Sequence, residues 1–513
     1  MKKRNLMVLF LLVGQLTFAQ AQNEVIDKII KEANTNSQLE TIAHELMDGI
    51  GPRLVGSPQM QKAHDWAVQK YGSWGIPARN EKWGEWRGWQ RGITHIDLVS
   101  PWVKTLSGTQ LAWSPATPKG GVRAEVVILP EFADSLAFQR WLPNVKGKLV
   151  MISVNQPTGR PDYNWKEFAT EESLAKIRKE KEEANRAWAV RLQRTGKDRR
   201  GLPLALEQAG AVGIVTSYWS QGFGANKIFS AYTKKVPTID LSLEDYGLVY
   251  RLAESGQKPT LNLVAESKET GVVPTFNTIA EIKGSEKPDE YVMLSAHFDS
   301  WDGGTGATDN GTGTIMMMEV MRILKQVYPN PKRTILVGHW GSEEQGLNGS
   351  RAFVQDHADM MPKIQALFNQ DNGTGRVATI SGQGFVKAYD YLGRWISKVP
   401  DEITKDIKYT FPGNPGGGGS DYASFLAAGV PAFSLSSLSW SYSNYTWHTN
   451  LDTYDKIVFD DVRSNVILAA ILAYMASEDN EKASREVRVP VGQRGEPTAW
   501  PAQRTATRKG GMD

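Results

Sequence analysis

An α/β domain with a mostly parallel central sheet is predicted for the second half of the chain, on two observations. From about residue 272 to 478, strand-like and helix-like segments alternate, which is the pattern of strands joined by crossover helices. Residues able to bind a ligand recur just after the strand-like runs, and open α/β sheets bind ligands outside the carboxyl ends of their strands.

In chain order, residues 23 to 75 read as helical. Ile26, Ile29, Ile30 and Ala33, then Leu39, Ile42, Ala43 and Leu46, recur at helical spacing. GIGPRLVGSP interrupts them with Gly and Pro, and a second helix is predicted from Gln59 to Trp74. From about 115 to 270 short apolar runs (Ala124–Leu129, Lys148–Val154, Val212–Thr216) read as strands. The charged stretch Glu171 to Arg200 mixes acids with bases, so it is expected to be a solvated helix and not a nucleic-acid arm.

Beyond it, Tyr291–Ala296, Thr334–His339, Ile364–Asn369 and Pro431–Ser436 are predicted strands. Thr312–Val327, Asn348–Gln355 and Asp460–Ala476 are predicted helices. In the first of these helices Ile315, Met318, Met321 and Leu324 share one face, a core stripe. The last segment is polar, Pro-containing and basic, with no periodic apolar face, so disorder or loose docking is expected. The expected organisation is residues 1–21, a signal peptide; 22–115, the first part of the main domain; 116–270, an inserted domain; 271–480, the α/β domain; and 481–513, the tail.

Composition narrows the function. A net charge of +3 over 513 residues gives no argument for nucleic acid. The absence of Cys excludes a disulfide scaffold, a thiolate metal site and a lipid-anchored bacterial precursor. Lys2, Lys3 and Arg4 precede an apolar run, Leu6 to Phe18, too short to span a bilayer, and then Ala19 and Ala21. This predicts an exported protein, periplasmic or extracellular, with no stable membrane anchor. Trp83, Trp86, Trp89, Trp102 and Trp113 cluster early, and domain packing is favoured for them over cleft lining.

The chemistry lies at the strand ends. His297 and Asp299 follow the first of the four predicted strands, Glu343 and Glu344 the second, and Asp371 the third. His448 lies on the loop after the fourth, and Asp309 opens a helix after a Gly-rich loop. Two imidazoles and three carboxylates, with no thiolate, suit zinc. Two divalent ions against Asp309, Glu344 and Asp371 leave one charge, which a hydroxide would balance, so the donor set favours two Zn²⁺. One of the paired glutamates is then left over to handle a proton. Asp299 is two residues past His297, placed to accept the other imidazole N–H; Asp452 stands four residues past His448 for the same task. His44, His64, His95, His339 and His357 lack such context and are expected on the surface or in the core.

The motifs HFDSWDGGTGATDNGTG, GSEEQG, Asp371, Gly419-Ser-Asp421-Tyr and His448-Thr-Asn-Leu-Asp452-Thr, with GIGPRLVGSP, together resemble the co-catalytic di-zinc exopeptidases. That family includes bacterial zinc aminopeptidases and the carboxypeptidase Q branch. The resemblance implies a three-layer zinc-exopeptidase (phosphorylase/hydrolase-like) fold. It also implies an inserted β-rich protease-associated domain, matched by KGKLVMISV, QAGAVGIV and VPTIDLS.

By motif position Asp309 corresponds to the ligand bridging both zincs, His297 and Asp371 to ligands of one, Glu344 and His448 to ligands of the other, and Glu343 to the general base. A cis peptide is expected at Asp309–Asn310. Trp447 occupies the position before the last histidine, which leaves Tyr442 and Tyr445 as candidate oxyanion donors. The implied partners are peptide substrates, with a homodimer left open. A one-zinc glutaminyl cyclase and a non-catalytic receptor-like protein of the same fold are the alternatives. Whether the enzyme works as an aminopeptidase, dipeptidase or carboxypeptidase is open.

Overall fold

One continuous sheet runs through the computed structural model, which describes residues 22–492 and 494–511. The signal peptide expected over residues 1–21 lies outside the described residues. In chain order the main strands are β1 (Ala78–Ser100), β2 (Val122–Ile128), β3 (Leu149–Met151), β4 (Gly213–Thr216), β5 (Thr238–Leu241), β6 (Thr260–Ile282), β7 (Lys287–His297), β8 (Arg333–Trp340), β9 (Ile364–Asn369), β10 (Val377–Ser381), β11 (Lys408–Thr410), β12 (Ala432–Ser437) and β13 (Lys509–Gly510). Their order across the sheet is β11-β10-β12-β9-β7-β8-β6-β2-β3-β4-β5. Among the described residues no helix is long and apolar enough to cross a membrane.

β7, β8, β9 and β12 pair in parallel. Every residue of β8 and β9 is buried, as expected for strands covered on both faces. The covering elements include α1 (Pro58–Ser73), α3 (Thr312–Val327), α4 (Asn348–Asp356) and α5 (Phe459–Glu478). All of Thr312 to Leu324 in α3 is buried, so its methionines are core, as predicted. This is the α/β class with a mostly parallel central sheet that the alternation implies. Between residues 116 and 270, β2 to β5 are parallel neighbours around a second core that includes Leu149, Ile214, Ile239 and Tyr246. That region also holds α2 (Glu171–Arg194), the predicted charged helix.

β1 and β6, 23 residues each, run antiparallel over their whole length and carry the sheet from one core to the other. Their ladder shifts register at Lys82/Gly84, Gly88/Trp89, Arg91/Thr94 and Leu98/Ser100. Each shift resets which face a residue occupies. Trp83, Trp86 and Trp89 therefore join one buried cluster with Trp113 and Trp301 despite a spacing of three. The packing role predicted for them holds in part: Trp86 and Trp113 also line a cleft, and Trp102 is exposed.

The C-terminal segment departs from the expectation of disorder or loose docking. β13 pairs with β1 at Glu85 and Trp86. Arg508 donates to Trp83 O and pairs with Asp356, and Arg485 donates to the carbonyls of Gly429, Met361 and Ile364. Trp500 packs edge-on against Phe385. A Cβ at Gly84 would stand 2.6 Å from Arg508 O, so glycine lets the tail close on β1. The segment is held by isolated anchors on backbone carbonyls and single side chains, which leave no periodic signature.

His64 and His339 are buried core histidines. His64 Nδ1 lies 2.8 Å from Thr278 Oγ1, and His339 Nε2 lies 2.7 Å from Tyr71 Oη. Burial pushes both pKa values down to about 3. The unfolded chain then binds protons below the ordinary histidine pKa while the folded chain does not, so stability falls as pH drops. The expected loss is about 1.4 kcal/mol per pH unit for each histidine between roughly pH 6 and pH 4. Urea titrations of wild type and His64→Gln should show the shallower slope in the variant; equal slopes would rule His64 out as a source.

Candidate metal centre

The carboxyl ends of β7, β8 and β9 and the loop after β12 meet at one edge of the sheet. His297 closes β7, and its Nε2 is 3.1 Å from Asp371 Oδ1 and 3.5 Å from Asp309 Oδ1. Across Asp309, His448 Nε2 is 3.4 Å from Asp309 Oδ2 and 2.9 Å from Glu344 Oε2. The result is two triads sharing one residue: His297, Asp309 and Asp371, and Asp309, Glu344 and His448, each with its ligand atoms within 4.8 Å of one another. Asp309 turns one oxygen to each histidine.

Neighbouring side chains hold this arrangement by its backbone. Asp452 accepts from Thr308 N at 2.7 Å and Asp309 N at 3.0 Å, and the Asp309–Asn310 peptide is cis, as expected. Asp452 thus serves the Asp309 turn and not His448, whose Nδ1 finds no partner among the described residues. Asp299 also differs in detail from its expected role. Its main-chain O, not its carboxylate, lies 3.0 Å from His297 Nδ1; the carboxylate is 3.7 Å away. That carboxylate accepts from Glu343 N at 3.0 Å and Glu344 N at 3.3 Å. An H-x-D spacing predicts proximity but not which oxygen is used.

Arg53, within GIGPRLVGSP, is the residue the sequence reading missed. Its buried guanidinium donates to Phe298 O, Thr305 O and Gly306 O, tying the His297 loop to the Asp309 loop. Its only sequence signal is the Gly- and Pro-rich break around it.

The donor set fits a cation. Asp299, Asp309, Asp421 and Asp452 are buried, the Glu344 side chain is 3% exposed, and the permanent cations beside them among the described residues are the fully buried Arg53 and also Lys227, which faces Asp309. Asp309 Oδ2 and Glu344 Oε1 lack a hydrogen-bond partner there, which is costly for buried carboxylates unless a metal accepts them. Burial, reinforced by Asp371, Asp421 and Glu344 against the pull of His297, raises the Glu343 pKa well above the carboxylate range. Burial and then Asp309 raise Glu344. Burial alone would lower His297, but Asp371 and Glu343 hold it well above the usual histidine value.

Of the two candidate tyrosines, Tyr442 faces Asp309, whereas Tyr445 Oη lies 3.2 Å from Tyr163 Oη. A cleft of about 680 Å³ opens beside Glu344 and His448, with Trp113, Phe229 and Trp301 in its wall. Trp301 Nε1 donates to Glu344 Oε2 at 2.8 Å.

Fold and site together define the class: the protein is a metallopeptidase. Residues 277–473 match the model of peptidase family M28. The chain is 27% identical to mouse (Mus musculus) carboxypeptidase Q over 92% of its own length and 94% of that protein. A peptidase M28 precursor from Shewanella amazonensis has a similar structure, with a TM-score of 0.66, 26% identity, and coverage of 92% of this chain and 100% of that one. A zinc aminopeptidase from Bacillus subtilis shares the fold, with a TM-score of 0.53, 19% identity, and coverage of 87% of this chain and 96% of that one.

Proposed function

We propose that the protein is an exported zinc metallo-exopeptidase that cleaves peptide bonds near chain ends and holds two zinc ions. The observation that carries this reading is Asp309, shared between two complete histidine–carboxylate triads. His297 and Asp371 would hold one ion, Glu344 and His448 the other, with Asp309 available to both. When bound, the ions supply a water of lowered pKa and polarisation of the scissile carbonyl.

The chain's own groups do the rest. Glu343, which belongs to neither triad, takes the proton of the attacking water and returns it to the leaving amine. Asp299 positions Glu343 and Glu344 through their backbone N–H groups. Tyr442 donates to the developing oxyanion. Residues 22–115 and 271–480 make the peptidase domain, 116–270 an insertion of protease-associated type, and 481–513 the tail, docked over its described residues.

The one-zinc cyclase and receptor-like readings are not favoured, because neither requires both triads. Similarity to carboxypeptidase Q along nearly the whole chain supports a dipeptidase or carboxypeptidase over an aminopeptidase. The test is metal counting together with a panel of free, N-blocked and C-blocked dipeptides. About two zinc ions per chain and cleavage of free dipeptides are expected. One zinc with pyroglutamate formation, or no turnover in the fully loaded protein, would overturn the proposal. Cleavage of N-blocked but not C-blocked substrates would select the carboxypeptidase mode, and the reverse the aminopeptidase mode.

A further inference from the structure

We infer that the segment Asn226–Phe229 of the inserted region is a positioning element for His448, so that zinc binding at the Glu344–His448 side of the centre depends on the insert and the His297–Asp371 side does not. The inference rests on the two-ion reading above and gives one of its sites a support outside the sheet edge that carries the ligands.

His448 has little support of its own. Its φ is 58°, in the left-handed region, which a non-glycine residue keeps only where its surroundings over-determine it. A metal-binding histidine is ordinarily oriented by a hydrogen bond at its second ring nitrogen, yet His448 Nδ1 has no partner among the described residues. Its orientation must come from its main chain and from the rings around it. The insert supplies contacts of both kinds.

Asn226–Phe229 lies between β4 and β5 and runs against His448–Asn450 like one more short strand. Ile228 N donates to His448 O at 2.8 Å, and Asn450 N donates to Asn226 O at 3.0 Å. Asn226 N donates to Asn450 Oδ1 at 2.8 Å, and Lys227 faces Thr449 in an antiparallel bridge. Further along the same loop Ser220 Oγ donates to Asn444 O at 2.9 Å, and Asn444 Nδ2 returns a bond to Ser220 O at 3.1 Å. The rings follow the backbone. The Phe229 centroid is 5.2 Å from that of His448, and Lys227 Nζ stands 4.1 Å over Trp447, whose ring stacks on His448 at 4.0 Å.

The clamp is anchored on its insert side. Asn226 is 1% exposed, and its Nδ2 donates to Asp240 O on β5 at 3.1 Å. The Asp240 carboxylate accepts from Thr216 Oγ1 on β4 at 3.1 Å and from Tyr218 N at 2.8 Å. The His448 backbone is thereby tied to the sheet of the insert. His297 is held differently: it closes β7 inside the parallel ladder, and its Nδ1 lies 3.0 Å from Asp299 O.

Zinc titrations of the stripped full-length protein test this on wild type, Asn450→Ala, Asn450→Asp, Asn226→Ala and the control Lys148→Met, which breaks a pair with Glu125 inside the insert. Asn450→Ala removes the acceptor of Asn226 N. One of the two sites should weaken by about 10–100-fold, the range for losing a ligand's outer support, and the other should keep its affinity. Asn450→Asp keeps an oxygen there and should restore most of the loss. Asn226→Ala alters no atom of the His448 loop and should act in the same direction, while Lys148→Met should match wild type. In a His448→Gln background Asn450→Ala should cost nothing further, because it acts through that ligand. Equal weakening of both sites, wild-type affinities in Asn450→Ala, or a further loss in the His448→Gln background would overturn the inference. A wild type that binds a single zinc, still weakened by Asn450→Ala, would sink the two-ion reading and keep the clamp; two zincs untouched by Asn450→Ala would do the opposite.

Discussion

Glu343→Gln is expected to lower kcat by about 10²–10⁴-fold, the range of a positioned general base, while zinc content stays at the wild-type level. Glu343 belongs to neither triad, so its amide isostere should leave both ion sites intact. Its backbone N–H, held by Asp299, stays in place in the variant. The loss should fall on kcat, because proton transfer is needed in the transition state and not for substrate binding. Glu344→Gln, one residue on, should behave differently. It removes a charge from the His448 triad and should deplete zinc along with activity. Elemental analysis and steady-state kinetics on both variants check the contrast. Full activity in Glu343→Gln with both ions present would remove the assignment, as would parallel zinc loss in the two variants.

What the sequence made legible follows the reach of each signal. α3 and β9 match their predicted bounds residue for residue, because each is a single apolar segment entered and left through Gly, Pro or polar breaks. The strand ends after β7, β8 and β9 then fix where His297, Glu343, Glu344 and Asp371 must sit. The long strands β1 and β6 were not legible. Their register shifts break the two-residue alternation, and Trp83, Trp86 and Trp89 mimic helical spacing. Supporting contacts were legible only as neighbourhoods. Asp452 is near His448 in sequence, but a positive φ of 58° at His448 turns the chain, and the Asp452 carboxylate meets Thr308 and Asp309. Arg53 reads main-chain oxygens of loops some 250 residues away, and no local pattern encodes carbonyl acceptors.

Removing the metal should change the sign of the centre's contribution to stability, and pH should expose it. With ligand at a thousandfold over its Kd, one bound ion stabilises the fold by about 4 kcal/mol, so chelation should lower Tm substantially. Four carboxyl groups of the stripped centre have folded pKa values above their unfolded ones, against Asp309, which despite burial is held low by His297 and His448, and His448, which burial lowers to about 4. Asp421 and Asp452 are pushed up to about 7 by burial, and Glu343 and Glu344 lie well above the usual range. Between the unfolded carboxylate pKa and these raised values the folded state binds more protons than the unfolded state, so stability falls as pH rises. Acid therefore relieves the stripped centre. Zinc competes with those same protons, and its affinity rises with pH. The buried His64 and His339 act alike in both forms and drop out of the difference. The Tm gap between zinc-loaded and chelated protein should thus widen from about pH 5.5 to about pH 8. Asp309→Ala, which strips one donor from each triad, should lose zinc from both sites and show little Tm response to chelator at either pH. A gap that narrows as pH rises, or an Asp309→Ala protein that keeps one tightly held zinc, would mean that Asp309 does not join the two sites.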